Sequence, residues 1–582
     1  MLSEYTLQQM PLSLPEVRKK VATLMQRCSL DMPQLDYYVG VFTSYGRLVG
    51  GAGLHRNVIK GVAVEAEARS DGLTSSLISY LLTEARSRGY ENVMVFTKPE
   101  NRKIFEALSF CHVAETDEAV LLESNPNSLR HFKASLRGAV SQTDENGSVG
   151  VAVMNCNPLT RGHEYLIKQA AKKVDSMVVV LVSEDVSEFT LAERRAMLQQ
   201  CVAAYENVRI VESGCYAISA ATFPSYFLKE PSSAAQVQMR LDLDLFCRHI
   251  APSLQASVRF VGSEKSDELT AQYNIMMRQV LQQAGIKVAE IPRLTLDGQA
   301  VSASAVRKFL TDGTVARAFS LVPPCTLPHL IAHAAKWALQ AELDLTPKPG
   351  LVDQHDNGAH RDMDYRLMKR SIDALFPAFS ELACCAYSGT LLSTEKLREI
   401  GLKAEHAMFE ATHGVNTHRG ALFSLGLAVV GSSHLLFCEH KVSEKSLSEV
   451  IGRLARAIEP PRDTHGANVV KKHAVGGALY NAQTGYRMLF DHWLPAYRTH
   501  HSPLRLLLEI ISELDDTNVW HRCGKDIALK TRAEAKELLH LPNEQLEEAL
   551  ARLNQQWTSA RVSPGGAADM LALTLFIDSL TL

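Results

Sequence analysis

Residues 150–163 read Gly150-Val151-Ala152-Val153-Met154-Asn155-Cys156-Asn157-Pro158-Leu159-Thr160-Arg161-Gly162-His163. Gly150 to Met154 is an apolar run of strand length, and the Asn and Pro residues after it stop it in a turn. A helix pattern follows over Glu164–Lys173, then a second apolar strand over Met177–Val182. Strand, turn, helix and strand in that order predict a parallel, doubly wound sheet. The turn carries the chemistry. Asn and Thr can cap the helix that opens there, and Gly162 lets the backbone approach a ligand closely. The free N–H groups and the helix dipole favour phosphate, and Thr160 and His163 are placed to face the same oxygens. A histidine there can stabilise charge that develops during attack at an α-phosphorus.

Alone, Thr-x-Gly-His is equally a capped helix with a histidine facing the core. A second element decides between the two readings. Val301-Ser302-Ala303-Ser304-Ala305-Val306-Arg307 puts two serines and an arginine at another helix start, suited to gripping distal phosphates. Arginine can meet a phosphate with two parallel N–H bonds.

Working outward, a chain of 582 residues exceeds what one core supports, since cores stop growing near ~250–300 residues. A polar, glycine-containing stretch at Gly138–Gly150 reads as a linker, and Asp312-Gly313 and Pro323-Pro324 interrupt the helical pattern again. These breaks predict domains over 1–137, 148–315 and 326–582. A formal net charge of −3 without a basic stripe argues against nucleic acid. The 11 cysteines are scattered without zinc spacing, which reads as reduced thiols. Met1-Leu2-Ser3-Glu4 does not open a signal peptide. Ala421–Cys438 is uncharged, but it is short for a span of ~20 residues and holds serines, a histidine and glycines. It is expected to be a buried helix rather than a membrane segment, and a cytoplasmic location is expected.

The first domain reads as mixed α/β. Tyr37–Thr43 and Asn57–Val64 are strand-like with a turn at Gly46, Leu73–Ser87 has helical spacing, and Val93–Phe96 resumes a strand. Arg69-Ser70-Asp71-Gly72-Leu73-Thr74, between strand and helix, resembles the pyrophosphate loop of GNAT acetyltransferases, with Thr74 in place of the final small residue. Asn101–Phe110 is similar to the late helix of that fold. The resemblance implies a GNAT-like α/β domain in which Arg69 and Gly72 hold a coenzyme-A-like arm without transferring acyl groups.

The middle domain resembles the Thr/His-x-Gly-His nucleotidylyltransferases. Val153–His163, Phe260–Met276 and the serine–arginine element look more particularly like the citrate lyase ligase family. That family joins acetate to the thiol of citrate lyase's prosthetic group while ATP goes to AMP and pyrophosphate. The resemblance implies Thr160 and His163 as catalytic residues, and Asn157, Gly162, Ser302, Ser304 and Arg307 as ATP contacts. Tyr273-Asn274 either shapes a pocket or packs.

The last segment shows runs at 3.6 spacing, among them His329–Leu343, Arg366–Tyr387 and Leu402–Thr412, and predicts an all-α bundle. Thr346-Pro347-Lys348-Pro349-Gly350-Leu351-Val352-Asp353 is a proline-stiffened loop. Gly358–Asp364, Gly414–Gly420, Asp515–Asn518 and Ser563–Asp569 add acidic and basic residues at loop–helix junctions, which suits Mg²⁺–triphosphate. His413 and His418 are read as caps or phosphate contacts rather than zinc ligands.

These strings resemble the triphosphoribosyl-dephospho-CoA synthase family, which moves the triphosphoribosyl group of ATP onto dephospho-CoA and releases adenine. By analogy with other glycosyl transfers, Asp353 and Asp364 are expected to act as base or, with Asp362, to bind Mg²⁺, while Lys348 and Arg419 hold phosphates. Val475, Gly477, Cys523 and Ala567 depart from the family pattern.

Together these resemblances imply a bifunctional enzyme of citrate lyase maturation. It would use ATP and Mg²⁺ and act on acetate, dephospho-CoA and the acyl carrier subunit of citrate lyase. Two alternatives stay open: a phosphopantetheine-type adenylyltransferase or malonate-decarboxylase-type synthase, and a ligase whose end domains are non-catalytic carrier-docking modules.

Overall fold

In the computed structural model, strands β1 (Tyr5–Gln9), β2 (Tyr37–Thr43), β3 (Leu48–His55), β4 (Val58–Val64), β5 (Met94–Thr97), β6 (Cys111–Glu115) and β7 (Val120–Glu123) form one sheet. Their order is β1-β2-β3-β4-β5-β7-β6. Every pair is antiparallel except β4 with β5, which meet only through Val58–Met94 and Ile59–Val95 before the pairing ends. The turn expected at Gly46 is present, with φ +77°, but it leads into β3, a strand the sequence reading passed over. Glycines at 50, 51 and 53 weaken strand propensity. Here the close approach of β2 requires two of them: a Cβ on Gly51 would lie 2.4 Å from Tyr38 Oη, and one on Gly53 would lie 2.5 Å from the Tyr37 carbonyl. The helix Leu73–Ser87 buries Leu73, Leu77, Ile78, Leu81 and Ala85 against this sheet, a stripe at helical spacing.

The second sheet is built from β8 (Val149–Met154), β9 (Ser176–Leu181), β10 (Val208–Glu212), β11 (Val258–Gly262) and β12 (Lys287–Ile291). All are parallel, in the order β10-β9-β8-β11-β12. Met177 to Leu181 are fully buried, which is why the run reads as unbroken apolar residues rather than an alternation. The direction of winding reverses between β8 and β11. In open α/β sheets, ligands bind beyond the carboxyl ends of the strands at such a switch point.

The structure describes residues 5–68, 72–140, 147–183, 187–218, 234–263, 268–460, 469 and 476–581. It separates into two units, one of Met1–Asn157 with Gly162–Ala300, the other of Pro158–Arg161 with Val301–Leu582. The first unit holds both sheets, because Phe96, Leu121 and Leu136 share a core with Val151, Val178 and Leu243. At that junction Glu123, fully buried, accepts hydrogen bonds from Tyr216 Oη (2.6 Å) and Asn92 Nδ2 (2.8 Å). Burial raises its carboxyl above the usual range.

Among the described residues of the second unit there is no strand from Val301 onward. Its principal helices include Leu327–Asp344, Tyr365–Ala386, Thr394–Ala411, Arg419–Glu439, Pro503–Glu513 and Gly565–Thr581. Arg419–Glu439 is the one described helix long and apolar enough to cross a membrane, yet 83% of its most apolar stretch is buried. It serves as a core helix, surrounded rather than amphipathic.

Candidate active sites

β8 delivers Asn155-Cys156-Asn157 to the switch point, and the turn is fixed from beneath by a buried arginine. Arg194 lies on the helix Leu191–Val202, whose start is closed by a capping box between Thr190 and Glu193. Its Nε donates to the Phe189 carbonyl (3.0 Å). Its Nη1 donates to the Asn155 carbonyl (3.0 Å), Asn155 Oδ1 (2.8 Å) and the Val182 carbonyl (2.5 Å). Asn157 Oδ1 accepts from the Phe189 N–H at 3.0 Å, so this side chain also orders the turn. Gly162 and His163 occupy the first turn of the helix Arg161–Ala171. Burial, with a contribution from the Arg293 charge, pushes His163 down to about 4, although part of its surface remains accessible. At neutral pH it is therefore an uncharged imidazole that can donate a hydrogen bond to phosphate.

The second unit holds the other expected ATP contacts. Thr160 is 1% exposed. The neighbouring Leu159 carbonyl accepts from Thr326 Oγ1 (3.1 Å), and Arg161 Nε donates to the Val322 carbonyl (3.1 Å). Ser302 caps the helix Ala303–Thr311 by accepting from the Ala305 N–H at 3.1 Å. Ser304 Oγ accepts from Arg307 Nη2 at 3.2 Å, which presents serine and arginine together in the first turn.

In the GNAT-like region Gly72 adopts φ +118° at the start of the helix Leu73–Ser87, and a side chain there would meet open space. Arg69 lies outside the described residues.

In the second unit the separate sequence strings meet. Gly350 (φ +72°) faces the Val562 carbonyl so closely that a Cβ would lie 2.1 Å away. His360 Nε2 and Ser563 Oγ are 2.8 Å apart. Asp516 accepts from the N–H groups of Asn518 (2.9 Å) and Ala567 (3.0 Å), which joins two helix starts through one carboxylate. Asp569 lies against Gly420 at the start of the buried helix. Lys348, 1% exposed, gives Nζ to Glu342 Oε1 (2.5 Å) and to the Glu342 carbonyl (2.7 Å). Burial, then the charges of Asp516 and Glu342, hold Asp569 well above the ordinary carboxylate range.

The buried polar atoms of this unit without a hydrogen-bond partner among the described residues include His418 Nε2 and Tyr486 Oη. His418 Nδ1 is 2.8 Å from Ser371 Oγ. Burial, then the Lys348 charge, lowers the imidazole to about 3. Burial and the Asp569 charge raise the Tyr486 phenol.

The other expected residues have structural roles here. Asp353, 2% exposed, spends its oxygens on its own loop. It accepts from Thr346 Oγ1 (2.8 Å), the Lys348 N–H (3.3 Å), and the N–H groups of His355 and Asp356 (2.8 Å each). Asp364 is exposed and caps the helix Tyr365–Ala386 through the Leu367 N–H at 2.7 Å. Asp362 is exposed, 4.0 Å from His360 Nδ1. Arg419 is exposed and pairs with Glu405 at 3.1 Å. Among the described residues no group of three or more His, Cys, Asp or Glu could hold a metal ion, so Asp353, Asp362 and Asp364 do not form a prebuilt cluster. Mg²⁺ that arrives with ATP phosphates needs only one or two carboxylates from a protein.

Two of the sequence departures have a clear local setting. Ala567 is fully enclosed and contributes its N–H, and Gly524, directly after Cys523, supplies φ +83° at the helix end. Gly477 starts the helix Ala478–Gln483, and Val475 lies outside the described residues. Sequence reasoning did not single out Glu342, Asp569, Arg194 or Arg259. Asp569 alone had a local signal, the acidic residue that closes Ser563–Asp569.

A doubly wound sheet with a phosphate turn at its switch point, joined to a helical unit with a buried Lys–Glu–Asp centre, defines a multidomain enzyme of nucleotide chemistry. Residues 149–330 match the family described as citrate lyase ligase C-terminal domain, 328–582 match ATP:dephospho-CoA triphosphoribosyl transferase, and 6–110 match the acetyltransferase (GNAT) family. The chain is 36% identical over 293 residues to the [Citrate [pro-3S]-lyase] ligase of Klebsiella pneumoniae, spanning 50% of this chain and 85% of that protein. It is 35% identical to the ligase of Haemophilus influenzae, over 51% of this chain and 90% of the relative. It is also 38% identical over 269 residues to the "Probable 2-(5''-triphosphoribosyl)-3'-dephosphocoenzyme-A synthase" of Stutzerimonas stutzeri, over 43% of this chain and 91% of the relative. The chain belongs to the citrate lyase ligase family in its first part and to the triphosphoribosyl-dephospho-CoA synthase family in its last.

Proposed function

We propose that this chain carries two steps of citrate lyase maturation. The ligase part activates acetate with ATP: a carboxylate oxygen attacks the α-phosphorus, the bond to the β-phosphate breaks, and pyrophosphate leaves. The thiol of the acyl carrier's prosthetic group then takes the acetyl group and releases AMP. Neutral His163 donates to the phosphate oxygens as charge develops. Thr160, Gly162, Ser302, Ser304 and Arg307 hold the triphosphate, and Asn157 with Arg194 keeps the turn in shape. Gly72 and Arg69, with the parted β4 and β5, receive the coenzyme-A-like arm, and the first sheet transfers no acyl group itself.

The synthase part displaces adenine from C1′ of ATP by a hydroxyl of dephospho-CoA. Asp569 is the carboxylate with a pKa tuned toward that of a base. The Lys348–Glu342 ion pair acts on it through the Glu342 carboxylate, and Asp353 orders the loop that carries Lys348. Mg²⁺ bound with ATP would supply charge neutralisation at the phosphates in both steps. Both activities draw on ATP and intracellular carriers, which supports a cytoplasmic enzyme.

The convergence of Gly420, Asp516 and Asp569 from three distant strings, with Glu342 of the Lys348 pair acting on the same carboxylate, carries the synthase reading. Its test is product analysis of the full chain with ATP, Mg²⁺ and dephospho-CoA. Adenine and a triphosphoribosylated coenzyme are expected from the parent chain, and Asp569→Asn should yield neither. Retained adenine release in Asp569→Asn would remove Asp569 as base.

A further inference from the structure

β11 carries Arg259 into the interior of the first unit, where it is 3% exposed. The Phe246 ring covers one face of the guanidinium, with its centroid 4.2 Å away. Nη2 donates to Tyr273 Oη at 3.2 Å, and Tyr273 donates to Asp242 Oδ2 at 2.5 Å. The other Asp242 oxygen accepts from the Ile218 N–H at 3.0 Å. Asp242 is thus engaged by its own neighbours, while Arg259 Nε and Nη1 are buried with no hydrogen-bond partner among the described residues. Arginine cannot shed its proton to escape this cost. Buried charged donors left unmade are expensive, and natural sites compensate them with an anion or water.

The same arginine borders a cavity of about 240 Å³, whose walls include Val153, Val182, Ile218 and Met239 together with Tyr273. Its position is set by the sheet. β8 runs through Val153 directly into the Asn155–Asn157 turn, and the Val182 carbonyl accepts from Arg194. The cavity therefore lies at the carboxyl ends of β8 and β9, beside the phosphate turn.

We infer that this cavity is the receptor for the small monocarboxylate substrate, with Arg259 as its carboxylate-binding residue. This rests on the ligase reading above and specifies where its acid enters. A carboxylate is planar and offers two oxygens to a guanidinium fork. Val153, Val182, Ile218 and Met239 suit a short alkyl tail, while Gln238, Asp242 and Thr270 make the remaining wall polar. About 10–15 Å³ of cavity suffices for one water, so 240 Å³ admits a two-carbon acid with room to spare. Three- and four-carbon acids are expected to enter as well. Arg259 binds and orients the acid and takes no proton. The carboxylate oxygen forms the bond to the α-phosphorus as pyrophosphate departs.

The test is acid-dependent ATP–pyrophosphate exchange by the full-length chain, compared with Arg259→Gln, Arg259→Lys and Met239→Ala. Loss of a charge-assisted hydrogen-bond pair should raise the KM for acetate about 10- to 100-fold in Arg259→Gln, with the KM for ATP held within about twofold. Arg259→Lys should fall between the two. Met239→Ala should shift preference toward the longer acids, a readout that a merely structural role of the pocket does not move. Should Arg259→Gln fail to fold, Arg259→Lys and Met239→Ala decide. Binding of ¹³C-acetate, followed by NMR in the parent chain and the variants, separates the two ideas. Saturable acetate binding that the Arg259 variants lose, in a parent chain without exchange, sinks the ligase reading and leaves the pocket standing. An unchanged acetate KM in folded variants, or equal losses for acetate and ATP, overturns the assignment of Arg259.

Discussion

Asp569 occupies the space that a side chain on residue 420 would need: a Cβ built on Gly420 would lie 2.0 Å from Asp569 Oδ2. The glycine in Asn416-Thr417-His418-Arg419-Gly420 is there so that a carboxylate from the last helix can reach the start of the buried helix. Once ionised, Asp569 is held there by the Ala421 N–H.

Gly420→Ala should therefore displace Asp569 rather than merely stiffen the helix. Overpacking of this kind costs ~1–3 kcal/mol. The expected outcome is a folded protein with a lowered melting transition and no adenine release, while acetate-dependent AMP formation persists. Calorimetry and product chromatography on one preparation check both halves.

Lys348 and Glu342 form an ion pair sealed from solvent. Removing one partner leaves a buried charge without its counterion, which costs ~3–5 kcal/mol. Lys348→Met should be strongly destabilised, and Lys348→Met/Glu342→Leu should recover much of the loss, because paired apolar replacement is often neutral. Adenine release should be absent in both. Urea titrations of the two variants, read beside the activity assay, separate the stability of the pair from its chemistry.

His418, lowered to about 3, is protonated far more readily in the unfolded chain, where its value is ~6.5. Its contribution to stability is whole above about pH 6.5 and is lost as pH falls toward 3, by up to ~1.4 kcal/mol per pH unit. Asp569 runs the other way. Its raised value makes its contribution whole below ~3.9 and lost as pH rises through the folded value. His418→Gln should flatten the rise in melting temperature between about pH 3 and 6.5, and Asp569→Asn should remove a loss that sets in as pH rises above ~3.9. Unchanged slopes in both variants would remove these two groups as the source of the pH dependence.

Arg194 holds the phosphate turn through carbonyls at the ends of β8 and β9. Arg194→Met should raise the KM for ATP and lower kcat of AMP formation by at least ~tenfold, since a turn displaced by an ångström misplaces every N–H aimed at phosphate. Arg194→Lys should rescue little, because a point charge cannot serve three carbonyls in a fixed fork. Steady-state kinetics on the ligase half, with adenine release as the internal control, test this.

Much of the frame was legible beforehand because it depends on local periodicity. Tyr37–Thr43 and Leu73–Ser87 fall where their apolar spacing predicts, and Ala421–Cys438 lies within a buried helix. β3 was missed because its glycines obscure the strand signal, and only the proximity of Tyr37 and Tyr38 on β2 explains Gly51 and Gly53. In the synthase part, Asp353 and Asp364 stood out through their proline and glycine surroundings, but those same surroundings show them tying down a loop and capping a helix.

By itself, then, the sequence determined the order of the elements, the two nucleotide motifs and the families they belong to. These rest on residue types at fixed short spacings, which backbone geometry translates directly into turns and helix starts. Only the tertiary structure decided which charges face one another. Lys348 with Glu342, Asp569 with Gly420, and Arg259 beside its cavity depend on chain segments brought together by burial of apolar surface. Burial also sets their ionisation, because the cost of a charge depends on how much water its final surroundings exclude.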